Sequence, residues 1–252
     1  SDKIATKAIE DGHQVVNSTS HMTYINKDEQ KLPLSKSYSF EPVFPGLKPR
    51  YHDQVLGLGC QVWTEWIPDA DKLEHIMSLF IEKGYREADI NLGCPFPMLA
   101  RRHNGCGMLP YPEEVKALLS EAIDRHPDIR FSVKLRLGWE QAEECLALLP
   151  LFNELPLAHI ILHPRLGKQQ YKGEVDLEGF EAFYKECTHP LFYNGDLHTA
   201  NDIRSITTRF PRLAGIVIGR GLLANPALAL EYKQGTPISV SYTHLRAHET
   251  SL

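Results

Sequence analysis

Residues 90–109, Ile-Asn-Leu-Gly-Cys-Pro-Phe-Pro-Met-Leu-Ala-Arg-Arg-His-Asn-Gly-Cys-Gly-Met-Leu, carry the densest chemistry in the chain: an apolar strand runs into Gly93-Cys94-Pro95 and then into a basic loop punctuated by glycine. A thiol at a strand end is a candidate proton donor, because a reference pKa of about 8.5 keeps it protonated at neutral pH yet able to release its proton. The competing use of Cys94 is as a small packed side chain. Four later apolar runs also end in polar residues, in Val133-Lys134-Leu135-Arg136, Leu162-His163-Pro164-Arg165, Tyr193-Asn194-Gly195-Asp196 and Ile218-Gly219-Arg220-Gly221. An inward lysine on an apolar strand is costly unless an anion meets it, so Lys134 faces either an anionic ligand or a carboxylate such as Asp89. Gly195 and Gly219-Arg220-Gly221 suit a phosphate approached by backbone N–H groups, and they suit ordinary tight strand-to-helix turns as well.

Residues of this kind need a frame that brings strand ends together. From residue 55 onward, short apolar runs alternate with amphipathic segments, the pattern of parallel strands joined by crossover helices. Strands are predicted near Val55 to Trp63, Ala88 to Leu92, Phe131 to Leu135, Ala158 to Leu162, Leu191 to Tyr193 and Gly215 to Ile218. Between them, Leu73, Ile76, Met77, Phe80 and Ile81 form one helical stripe, and Val115, Leu118, Leu119, Ala122 and Ile123 form the next. Cys145 shares a stripe with Leu148, Leu149 and Phe152. Helix boundaries are expected at Pro112 with Glu113 and Glu114, and at Gly84, Pro127 and Pro211. The fold class is α/β, a (β/α)8 TIM barrel incomplete at its N-terminus, and the polar strand ends would converge on one mouth. Residues 1–54 supply no clear pair of further units: Gln14 to Val16 and Met22 to Ile25 are candidate strands, but Asp28 to Ser37 is polar and Pro42 to Pro49 is rich in proline.

The 252 residues, 42% hydrophobic, suffice for one such domain. A formal charge of −5 provides no global field for a polyanion, so nucleic-acid contact would rest on a local patch. The five cysteines are odd in number and never form a Cys-x-x-Cys pair, which fits a reducing compartment better than a disulfide framework or a metal site. No metal is expected, the localisation is read as cytoplasmic, and a monomer is assumed. No apolar run approaches the roughly 18 residues of a membrane span. The chain begins with Ser1 rather than methionine, so its start is expected to be cut.

Taken with the four later strand ends, the 90–109 stretch resembles the tRNA-dihydrouridine synthase family over roughly residues 55 to 230. The resemblance implies FMN as cofactor, NADPH as reductant, tRNA as substrate and partner, and reduction of uridine to 5,6-dihydrouridine. On this basis Cys94 is the acid that protonates C5 of uracil while hydride reaches C6. FMN would be bound by Gln61, Lys134, His163, Asn194, Gly195, Asp196, Gly219 and Arg220. Asn91, Arg101, Arg136 and Arg165 would bind substrate, with Arg102, His103 and Lys168 as further candidates for RNA phosphates. Gly105 and Gly107 would let the Cys94 loop close over a flipped base. The family's first-strand Ala-Pro-Met motif has no counterpart in residues 1–54, and the chain is expected to lack the family's helical C-terminal domain. Three segments are therefore expected: an irregular stretch over 1–54, a flavin-binding barrel over 55–234, and a non-family tail over 235–252 that resembles adapter read-through.

Two other functions compete. A different FMN barrel acting on a free pyrimidine or on dihydroorotate would also use a lysine, an asparagine and a loop cysteine, although the arginines after Cys94 favour a polyanion. A non-catalytic truncated barrel would hold no flavin, which the colour of the purified protein decides.

Overall fold

All six of the apolar runs contribute a strand to one parallel sheet, as uninterrupted hydrophobic character on both faces requires. The structure is a computed structural model that describes residues 15–17, 55–58, 60–63, 74, 77–78, 81, 85–225 and 227–237. The six-stranded sheet contains β3 (Cys60–Trp63), β4 (Glu87–Leu92), β5 (Arg130–Gly138), β6 (Ile160–Leu166), β7 (Leu191–Tyr193) and β8 (Gly215–Ile216), in that spatial order and all parallel. Strands that follow one another in space as in sequence, without a reversal, are the staves of a barrel; a doubly wound sheet reverses its order at a switch point. Two further strands, β1 (Val15–Asn17) and β2 (Val55–Leu58), pair with each other in a separate parallel ladder. The run over Val55 to Trp63 is thus two strands in two sheets. The Gln14 to Val16 candidate corresponds to β1, whereas Met22 to Ile25 lies outside the described residues.

Between strands lie α1 (Pro97–Ala100), a 3-10 turn (Gly105–Met108), α2 (Pro112–Arg125), α3 (Glu143–Glu154), α4 (Leu177–Glu186), α5 (Ala200–Arg209), α6 (Arg220–Ala224) and α7 (Leu228–Gln234). Helix α2 starts where its proline and two glutamates favour an N-terminus, and it buries Val115, Leu118, Leu119 and Ala122. The preceding stripe is helical at Glu74, Met77, Ser78 and Ile81; Met77 is buried, but Ile81 is 37% exposed and sits at the rim of that face. Cys145, Leu148, Leu149 and Phe152 on α3 all enter the core.

The last units are set by local capping and aromatic packing. Asp176 accepts hydrogen bonds from Glu178 N (3.1 Å) and Gly179 N (2.8 Å) at the start of α4, and Thr199 and Asp202 form a reciprocal capping box at α5. Phe180 of α4 meets Tyr193 of β7 and Phe210 beyond α5 edge-on, with ring centroids 5.0 and 4.9 Å apart. This cluster fixes the end of β7, and the Tyr193 hydroxyl lies so close under Gly195 that a side chain there would collide with it.

Candidate functional site at the strand ends

Backbone pairing aligns the candidate residues in rows. Asn91 is level with Lys134, and one step along, Arg136 is level with His163. Asn194 N donates to Leu162 O (3.0 Å) and Val217 N to Tyr193 O (2.8 Å), which carries the second row across β7 and β8. Alternation along a strand puts Lys134 and Arg136 on one side of β5, and His163 and Arg165 on one side of β6.

Asn91 makes the bend that delivers the thiol: its side-chain oxygen accepts from Gly93 N at 2.9 Å. Cys94 follows, buried in the core cluster. Its carbonyl accepts from Cys106 N (3.1 Å) and from Cys106 Sγ (2.9 Å), so the second cysteine of the loop pins the first. Burial pushes the Cys106 thiol up to about 12, which keeps it a neutral donor in that bond. The loop glycines serve close packing. Gly105 adopts φ 59°, and a Cβ there would stand 2.7 Å from Cys94 O; one at Gly107 would run into the backbone of Ala100. None of the four described cysteines is in a disulfide.

Lys134 is half-buried, and burial lowers its pKa, opposed chiefly by Asp89 and more weakly by Cys94 and Cys106. Asp89 accepts from Ser132 Oγ (2.9 Å), and no ion pair within 4.0 Å among the described residues includes Lys134. Burial first, then Arg136, Lys134 and Arg165, push His163 down to about 3, so it is a neutral imidazole at physiological pH.

Arg136 and Arg165 depart from the expectation of exposed phosphate contacts. Arg136 is 3% exposed and donates to Gly93 O (3.0 Å), Leu166 O (3.1 Å) and Gln170 O (2.6 Å), tying the Cys94 loop to the loop after β6. Arg165 is 1% exposed; its guanidinium grips both carboxylate oxygens of Asp196 and donates to Gly173 O at 2.6 Å. Buried forks of this kind organise the site. The hydrogen bonds from Arg165 hold Asp196 below the usual carboxylate range, and Asp196 in turn raises Arg165.

Asp196 also accepts from Arg220 Nη2 (2.7 Å), whose side chain remains half-exposed. Asn194 Nδ2 donates to Val217 O (2.9 Å) and joins the last two strand ends. Gly219 has nothing within 4 Å of its Cβ position, and it precedes the first turn of α6. Cations at the mouth (Lys134, Arg136, Arg165, Arg220) thus outnumber the carboxylates Asp89 and Asp196 despite the acidic chain. Open space at Gly219 beside a half-exposed guanidinium fits the phosphate of a nucleotide such as FMN. Gln61 is level with Asp89 in the β3–β4 ladder, and its side chain lies outside the described residues.

Arg101 and Arg102 are exposed at the C-terminal end of α1, where Arg101 lines a cleft of about 440 Å3 with Tyr111 and Trp139, a cleft whose lining does not include Lys134 or His163. His103 pairs with Glu114 (2.9 Å), and Lys168 with Glu140 (2.5 Å). Sequence reasoning passed over Tyr171, exposed with the Arg136 and Arg220 guanidinium carbons each 5.2 Å from its ring centre. Its signal was a lone aromatic in the polar run Lys168-Gln169-Gln170-Tyr171-Lys172.

Fold and mouth together define a parallel α/β barrel that gathers a thiol, a lysine and an arginine–aspartate network at its strand ends. Residues 68–244 match the dihydrouridine synthase family (Dus), and the chain belongs to that family. Among curated relatives, tRNA-dihydrouridine synthase B of Pasteurella multocida is 27% identical over 161 residues, 64% of this chain and 48% of the relative. The enzyme of the same name from Escherichia coli K12 is 24% identical over 159 residues, 63% and 49% of the two chains. The chain therefore spans about half the length of the curated relatives it matches. Residues 1–78 match a second family, the catalytic domain of glycosyl hydrolase family 20. Among solved structures, a variant of NCR from Zymomonas mobilis has a TM-score of 0.51 at 15% identity, covering 75% of this chain and 65% of that one. Morphinone reductase has a TM-score of 0.50 at 17% identity, covering 72% and 53%. These likenesses establish the barrel fold alone. No helix among the described residues is long and apolar enough to cross a membrane.

Proposed function

We propose that the chain contributes the flavin-binding barrel of an enzyme that reduces uridine in tRNA to 5,6-dihydrouridine in the cytoplasm, acting as a monomer. One observation carries the reading: within the segment that matches the dihydrouridine synthases, the loop of Cys94 is fastened to the row that contains Arg136, next to Lys134. Bound FMN, with NADPH as its reductant, would supply hydride-transfer chemistry at C6 of uracil. Asn194, Gly195, Asp196, Gly219 and Arg220 would hold its phosphate and ribityl end, and Lys134 and His163 would border its ring. Asn91 sets the height of the thiol, and Cys94 passes its proton to C5 as negative charge builds there. The neutral His163 shapes the pocket without competing for that proton. Arg136 and Arg165 bind substrate indirectly, by holding the two loops between which an unstacked uridine enters, and Arg101 meets phosphate.

The test is to purify the chain, record flavin absorbance, and measure dihydrouridine after adding NADPH and unmodified tRNA. Cys94→Ala should retain flavin and lose product formation. A colourless protein, or a variant as active as its parent, removes the reading. Product from free uracil but not from tRNA favours a free-pyrimidine reductase instead.

A further inference from the structure

The loop that carries Cys94 also displays the two most exposed large apolar side chains among the described residues, Phe96 at 64% and Met98 at 75%. Exposed apolar groups set side by side mark a contact surface more often than isolated ones do. Their mounting is stiff. Phe96 stands between Pro95 and Pro97, and the following proline confines it to the extended conformation it adopts, φ −69° and ψ 123°. Its carbonyl accepts from Leu99 N and Ala100 N, both at 3.0 Å, which closes the short helix behind it. Ala100 packs against Gly107, and the Cys106 bonds to Cys94 O fasten the other side. Side chains on such a base lose little backbone entropy on insertion. Arg101 and Arg102 follow, both exposed.

We propose that Phe96 and Met98 form a wedge that enters the base stack of a folded RNA and occupies the gap left by the uridine drawn to Cys94, an inference that rests on the tRNA reading above. Drawing a base out of a stack costs the stacking energy of its neighbours, and apolar side chains pushed between bases recover part of it. The geometry suits this, because the wedge lies two and four residues from the thiol on the same rigid loop. The adjacent arginines favour a polyanion over an apolar protein partner.

The experiment uses the full chain and three RNAs: a hairpin with one stacked target uridine, the same hairpin with an abasic site at that position, and an unstructured oligonucleotide. Fluorescence anisotropy should show the chain binding the abasic hairpin about tenfold more tightly than Phe96→Ser/Met98→Ser does, with the two proteins alike on the unstructured RNA. Phe96→Leu/Met98→Leu should restore binding, which separates apolar filling from loss of fold. Equal affinity of the parent and serine variants for the abasic hairpin overturns the wedge, as does failure of the parent chain to bind RNA. A parent dimer that the serine variant converts to monomer also overturns it, by assigning the face to a second copy. Uridine reduction by the parent chain is scored separately: reduction without wedge-dependent binding leaves the proposed function standing alone, and the converse leaves the wedge.

Discussion

Replacing His163 by glutamine tests the electrostatics of the strand-end mouth. In the native state, burial and the nearby Arg136, Lys134 and Arg165 push this imidazole down to about 3, whereas an unfolded histidine titrates near pH ~6.5. Between those values the unfolded chain binds one more proton than the native chain, so stability falls as pH falls through the unfolded value. The limiting slope is about 1.4 kcal/mol per pH unit, and integration from pH 7.5 to 5 gives a loss of about 2 kcal/mol from this side chain alone. Urea unfolding of the parent and of His163→Gln at both pH values isolates that contribution, because other carboxylates and histidines titrate alike in the two proteins. The parent should lose about 2 kcal/mol more than the variant. Lys134→Met, which deletes one of the cations, should narrow the difference. Equal losses in parent and glutamine variant would refute the reasoning, since His163 would then titrate alike in both states.

Arg165→Ala removes the buried guanidinium and leaves Asp196 with Arg220 alone, at a cost of about 2 kcal/mol that appears as a lower Tm; an unchanged Tm would show that the fork carries no stability. Gly105→Ala places a methyl group against Cys94 O and Cβ at a positive φ, costing about 2 kcal/mol and altering the rate at which iodoacetamide alkylates Cys94. Parent-like stability and alkylation together would mean that the loop yields.

The strands were legible because a sheet covered on both faces leaves plain apolar runs, and the row Arg136, His163, Asn194 follows from where those runs end. Strand β5 reaches Gly138 rather than stopping at Leu135, because Arg136 satisfies its charge on backbone carbonyls without leaving the ladder. Hydropathy could not reveal this, since it scores arginine as an interruption. Nor could it divide Val55 to Trp63, whose two halves differ only in which strand each pairs with. Chemistry-bearing residue types were readable at the site, but their commitments were not. Arg136 and Arg165 looked like surface cations until their carbonyl and carboxylate partners, distant in sequence, were in place. Tyr171 and the exposure of Phe96 and Met98 depend on how loops stack, for which periodicity carries no signal.

The glycines flanking Cys106 read in sequence as joints of a closing flap. In the structure they are contact points, and the sulfur and amide of Cys106 bolt the Cys94 carbonyl in place. These bonds hold the backbone from which the Cys94 thiol projects. Under the proposed function the burden of motion would fall on the RNA, which would have to distort until one nucleoside reached the thiol, so that RNA pliability would govern which position is chosen.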